Sequence, residues 1–230
     1  MPIQIELELD YLKSIILEMF ELVRKQINMA KMALINHDQE AVEEIIRNES
    51  RVNGFEITIE KECENLLALH QPVATDLRFI MAALITNGNI ERIGDHADKI
   101  AKIVRDNENP FDNELIQSLH LNEAFEIVDE MMEKVITAFA TRNDNEARLV
   151  FKLDKSIDKI NKKSLVFLND YLKDHSDKII QALWLFRVIG KLERVGDVLK
   201  NVAEEVIFYL DAEILKHKKL KYKLTGKNNP

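Results

Sequence analysis

The stretch "NIERIGDHADKIAKIV", residues 89–104, places a glycine and two carboxylates, Glu91 and Asp95, within one turn of a sequence that otherwise reads as helix. Its centre returns further along the chain. "IERIGD" at 90–95 reappears as "LERVGD" at 192–197, an offset of 102, and Gly88 reappears as Gly190 at the same offset. In the preceding helices Glu49, Val52, Asn53, Cys63 and Leu67 correspond to Asp154, Ile157, Asp158, Leu168 and Leu172 at an offset of 105. The connection into the last helix is therefore three residues shorter in the second copy, and the chain is one unit repeated twice.

Helical starts and stops say what the unit is. Leu9, Leu12, Ile16, Met19, Phe20, Val23 and Ile27 set an apolar period over residues 4–36, which ends at "INHD". Asp38 is an N-cap type and opens a segment to Leu69; "HQP" closes it, with Pro72 suited to the first turn of a third segment ending near Asn109. "NENPFDN" is the one clear linker. The scheme then repeats as 113–141, capped by Asp112, 144–174, opened by "NDNEA", and 177–215, opened by Ser176. Only four prolines and six glycines interrupt 230 residues, a helical composition. The expectation is an all-α chain of two tandem antiparallel three-helix bundles, residues 1–109 and 110–215, followed by a basic tail, 216–230. Helices of roughly 30–40 residues are roughly 45–60 Å long, and their short connections make neighbours antiparallel. End-to-end and side-by-side packing of the bundles both remain open.

The start, "MPIQIELELD", has no basic n-region or apolar h-region, and the longest apolar run, "FIMAALI" at 79–85, is too short to cross a bilayer. A cytoplasmic chain is expected. Cys63, the only cysteine, excludes an intrachain disulfide and reads as a small core side chain. Net charge is −8; six lysines lie in the last fifteen residues, which leaves −14 on residues 1–215, a body that repels nucleic acid.

The carboxylates carry the chemistry. Glu91/Asp95 and Glu193/Asp197 are i, i+4 pairs, so each shares a helix face at a small cost in repulsion. Glu49/Asn53 and Asp154/Asp158 repeat the spacing on the helices before them. If adjacent antiparallel helices turn these pairs together, each unit gathers up to four oxygen-bearing side chains, which require a cation or a ring of Arg and Lys. Mg²⁺, Ca²⁺, Mn²⁺ or a carboxylate-bound iron or zinc ion fits that donor set. A di-iron oxidase site would place His three residues after Glu, where this chain has Gly94 and Gly196. Gly inside a helix costs about 1 kcal/mol relative to Ala, so Gly88, Gly94, Gly190 and Gly196 read as clearance for a neighbouring helix. The competing account is internal salt bridging, with Arg92 and Arg194 as counter-charges.

"QPVATDLRFIMAAL" leading into "ERIGDHADKIA", and then "LERVGDVLKNVAEEVIFYL", resemble the two signature helices of the PhoU family of bacterial phosphate-transport regulators, and the resemblance covers nearly the whole chain. It implies a non-enzymatic cytoplasmic regulator that links a phosphate ABC-transporter ATPase to a sensor histidine kinase and reaches the membrane only through those partners. It also implies metal on the surface of each bundle, bound by Glu49, Asn53, Glu91 and Asp95 in the first and by Asp154, Asp158, Glu193 and Asp197 in the second. Asn53 departs from a strict carboxylate pattern, and its neutral amide predicts weaker cation binding in the first half. No Gly-rich phosphate loop is present.

A homodimer suits such elongated bundles. Two other classes compete with the regulator: a metal-dependent helical-bundle hydrolase or oxidase, and a metal-free chaperone-like module. No Ser/His/Asp or Cys/His grouping supports nucleophilic catalysis, and the motif turns offer Gly and Arg where an enzyme would add His. His96 follows Asp95 but lies about a hundred degrees away around the helix. Trp184 reads as core of the last helix, Arg78 and Arg187 as counter-charges, and the basic tail as a solvated helix end.

Overall fold

The computed structural model describes residues 2–211, and every regular element among them is helical: α1 (Pro2–Asn36), α2 (Gln39–His70), α3 (Ala74–Arg105), α4 (Asn113–Ser118), α5 (Leu121–Thr141), α6 (Asp144–Asp174), a 3-10 turn (Ser176–Lys178) and α7 (Ile179–Asp211). The basic tail lies outside the described residues. Polar caps set the starts. The Asp38 carboxylate accepts the amides of Glu40 and Ala41 at 3.0 and 3.1 Å, and the Asn143 side chain accepts that of Asn145 at 3.1 Å. The stops use a left-handed residue without glycine: His37, Gln71 and Arg142 follow α1, α2 and α5 at φ of 54, 48 and 55°.

One expected helix is two. Residues 113–141 break at Leu119 and His120, the latter left-handed at φ 54°. The apolar pattern explains the break. At about 100° per residue, Leu115, Ile116 and Leu119 face roughly the opposite way from Leu121, Ala124, Phe125 and Val128. All seven are buried, and a continuous helix would expose one of the two sets.

The halves lie side by side. α1, α3, α7 and α5 pack in a closed ring, each against the next, with α2 laid outside α1 and α3 and α6 outside α5 and α7. An aromatic cluster crosses the ring: Phe79 on α3 packs on Phe139 of α5 at 5.8 Å and on Tyr209 of α7 at 5.5 Å, and Phe20 of α1 joins Phe139 at 6.2 Å. The rim between α1 and α5 is polar. Arg24 donates to both oxygens of Asp129 at 2.8 and 2.9 Å, and that contact, strongest among its causes, holds the Asp129 carboxyl below the usual range. Cys63 is fully buried, and burial pushes its thiol up to about 12. Trp184 is only partly buried, with the Arg187 guanidinium 4.5 Å above its ring. Arg78 donates to the Tyr209 carbonyl and to Thr75, so neither arginine serves as a counter-charge to the motif.

Candidate functional site

Two glycines set the distance between the outer and inner helices. A Cβ at Gly94 would meet Val52 of α2 at 3.4 Å, and one at Gly196 would meet Ile157, the repeat counterpart of Val52, at 3.1 Å. These contacts bring α2 onto α3 and α6 onto α7 beside the carboxylate pairs. Gly88 and Gly190 are different: a Cβ at either meets nothing within 4 Å, so clearance does not explain them.

In the second half the four expected side chains feel one another. Burial, followed by the charges of Asp197 and Asp158 and, more weakly, Asp154, lifts the Glu193 carboxyl above the ordinary range. Lys200 stands between the helices, its ammonium 2.9 Å from Asp154 of α6 and 2.6 Å from Asp197 of α7. Asp154 is buried, and its second oxygen has no hydrogen-bond partner. That orphaned oxygen lies beside Gly196, 3.7 Å from where a Cβ there would stand, and is the one atom of this face whose chemistry suits a hard cation.

The first half differs in detail. Burial, then Asp95 and then Glu56 raise the Glu91 carboxyl. Glu56 thus supplies the α2 charge nearest the motif, while Asn53 is exposed. Lys99 pairs with Asp95 at 2.6 Å and Lys102 with buried Asp98 at 2.6 Å, both along α3. Lys102 is raised chiefly by its Asp98 hydrogen bond, with Glu49 a smaller contributor, which puts Glu49 beside that lysine. Lysines make the ion pairs on both faces, while Arg92 and Arg194 act on Glu91 and Glu193 by charge alone, without a hydrogen bond. Among the described residues, no group of three or more His, Cys, Asp or Glu side chains holds a metal-binding arrangement as they stand.

Sequence reasoning missed Glu56, although it lies seven residues after Glu49 and so on the same helix face. It also missed Lys200, because the equivalent position of the first half is Asp98. His96 is buried between α3 and α7; burial and the nearby Lys99 and Lys191 push its imidazole down to about 4.

Comparison with known proteins adds an independent observation. The family model described as the PhoU domain matches the chain twice, over residues 16–104 and 121–206, either side of the α3–α5 connection. The phosphate-specific transport system accessory protein PhoU of Edwardsiella tarda is 30% identical over 214 residues, covering 93% of this chain and 87% of that protein. The crystal structure of PhoU from Pseudomonas aeruginosa superposes with a TM-score of 0.83 at 30% identity, covering 90% of this chain and 99% of that one. The phosphate transport system regulatory protein PhoU from Streptococcus pneumoniae gives 0.82 at 28% identity, covering 92% and 99%.

Proposed function

We propose, from the premise that this chain belongs to the PhoU family, that it is a cytoplasmic regulator of phosphate uptake, an adaptor between a phosphate-transporter ATPase and a sensor histidine kinase. The observation that carries the reading is the double match: each half contains a PhoU domain, and each presents an acidic face where its outer helix meets its inner one. The relatives are named accessory or regulatory proteins. No helix among the described residues is long and apolar enough to cross a membrane.

The chemistry of these side chains suits a metal, which would have to draw them together from where they now stand. Asp154, Asp158, Glu193 and Asp197 would hold it in the second half; Glu49, Asn53, Glu91 and Asp95, with Glu56 added, would hold it in the first. A divalent or iron-type ion bound there supplies positive charge that relieves acid repulsion and ties outer helix to inner helix. We place the working form as a homodimer, to be checked by sedimentation. The deciding experiment is affinity capture with the full chain in cells grown on plentiful phosphate. The transporter ATPase and the kinase should both be retained. Retention of neither, by protein whose metal content is intact, defeats the adaptor role while leaving the metal sites standing.

A further inference from the structure

Between α3 and α7, on the seam of the two halves, lies a cavity of about 390 Å³, within the roughly 300–1,000 Å³ usual for small-molecule sites. Its walls follow the repeat: Arg92 is matched by Arg194 and Asp95 by Asp197 at the offset of 102. The symmetry breaks at two positions, where His96 and Lys99 of α3 correspond to Val198 and Asn201 of α7.

Three observations define what the cavity wants. Both aspartates are already engaged, Asp95 by Lys99 and Asp197 by Lys200, each at 2.6 Å. Arg92 and Arg194 are exposed and make no ion pair or hydrogen bond among the described residues. His96 is 8% exposed, yet its Nδ1 is buried without a partner. Two guanidiniums whose N–H groups make no hydrogen bond are a ready fork for a group that only accepts hydrogen bonds and carries more than one negative charge. The lysine and arginines that line it disfavour a further cation.

We propose that this seam binds a free tetrahedral oxyanion, of which inorganic phosphate is the simplest, clasped by Arg92 from one half and Arg194 from the other, with the His96 ring in the cavity wall. Arg92, Arg194 and His96 lie outside the donor sets proposed for metal. Asp95 and Asp197 are common to both, so the test removes metal first.

Chelator-treated full-length protein, returned to chelator-free buffer, is titrated with inorganic phosphate by calorimetry. Saturable binding at one site is expected. Arg92→Gln or Arg194→Gln should each weaken it about tenfold, as for loss of a charge-assisted contact, and the double variant should abolish it. Asp129→Asn, on the α1–α5 rim away from the cavity, should leave it unchanged. Both arginines are exposed, so circular dichroism should report an intact fold. In the wild type the His96 imidazole resonances should shift on addition of phosphate, a readout that needs no variant. The proposal is overturned by the absence of saturable binding in metal-free wild type, by unshifted His96 resonances, or by equal affinity in the double variant. Binding that appears only after metal is restored and is lost in Asp154→Asn would place phosphate on the metal instead, and would overturn it equally.

Discussion

The two acidic faces carry the same number of carboxylates and neutralise them in opposite ways. In the second half Lys200 reaches from α7 to Asp154 on α6, an ammonium held between helices. In the first, the corresponding position is buried Asp98, and the lysines pair only along their own helix, Lys99 with Asp95 and Lys102 with Asp98. The α2 acids Glu49 and Glu56 make no ion pair among the described residues. A metal entering the second half must displace an ammonium that bridges two helices, whereas one entering the first displaces Lys99 from Asp95 alone. The sequence argument for a weaker first site rested on Asn53, and Glu56 removes the charge deficit on which it relied. The first half should therefore bind divalent metal about as tightly as the second.

The largest test of this contrast removes the ammonium. Lys200→Met leaves Asp154 buried and unpaired, so the metal-free protein should lose about 3 kcal/mol in urea unfolding, whereas Lys99→Met, at an exposed pair within one helix, should lose about 0.5 kcal/mol or less. Equal losses would erase the distinction between the halves. The same Lys200→Met variant should also bind metal more tightly in its second half.

Metal itself comes next. Manganese at a hundredfold excess over its dissociation constant should stabilise the chain by about 2.7 kcal/mol, a rise in Tm of roughly 5–10 °C for a chain of this size. Glu91→Gln and Glu193→Gln, each tested alone, apportion that rise between the halves, and a manganese response retained by the double variant removes the carboxylate faces from the account.

The glycines give a smaller split. Gly88→Ala and Gly190→Ala meet open space and should each stabilise by up to about 1 kcal/mol through helix propensity. Gly196→Ala must move Ile157 from 3.1 Å and should instead cost about 1 kcal/mol. Gly94→Ala, at an ordinary contact distance, should fall between.

The smallest effect lies on the rim that joins the halves. Asp129 is depressed in the folded state, so its ionised form is favoured there and its contribution is present above the unfolded carboxylate range. It is lost as pH falls through the folded value. Because Asp129 is partly exposed, that contribution is about 1 kcal/mol or less. Asp129→Asn should flatten the acid limb of a stability profile below about pH 4.

Much of this molecule was legible in residue order. The repeat offset, the caps at Asp38 and Asp112 and the turn ends fixed the helices, because capping and periodicity are local physics. The break before His120 was legible too, in apolar residues whose direction turns through half a circle, but a pattern of cap residues alone does not register that rotation. Side-by-side packing was not legible, since it depends on which buried face of α3 meets which face of α7. Within the site, Glu91, Asp95, Glu193 and Asp197 were marked by the duplicated motif. Lys200 was hidden by the same device, because a comparison that looks for what recurs passes over a position where acid has become base. The oxyanion cavity was invisible for the related reason that its walls come from two helices a hundred residues apart.

Cys63 offers an unplanned instrument. Its thiol sits closed in under α3, within 4.0 Å of the Ile80 carbonyl, and the second half carries Leu168 at the matching place. A thiol kept protonated and shielded reacts with an alkylating reagent only while its surroundings are open. The rate of alkylation is thus a clock for transient opening of the first half alone, and it allows the breathing of one repeat to be timed while its twin stays silent.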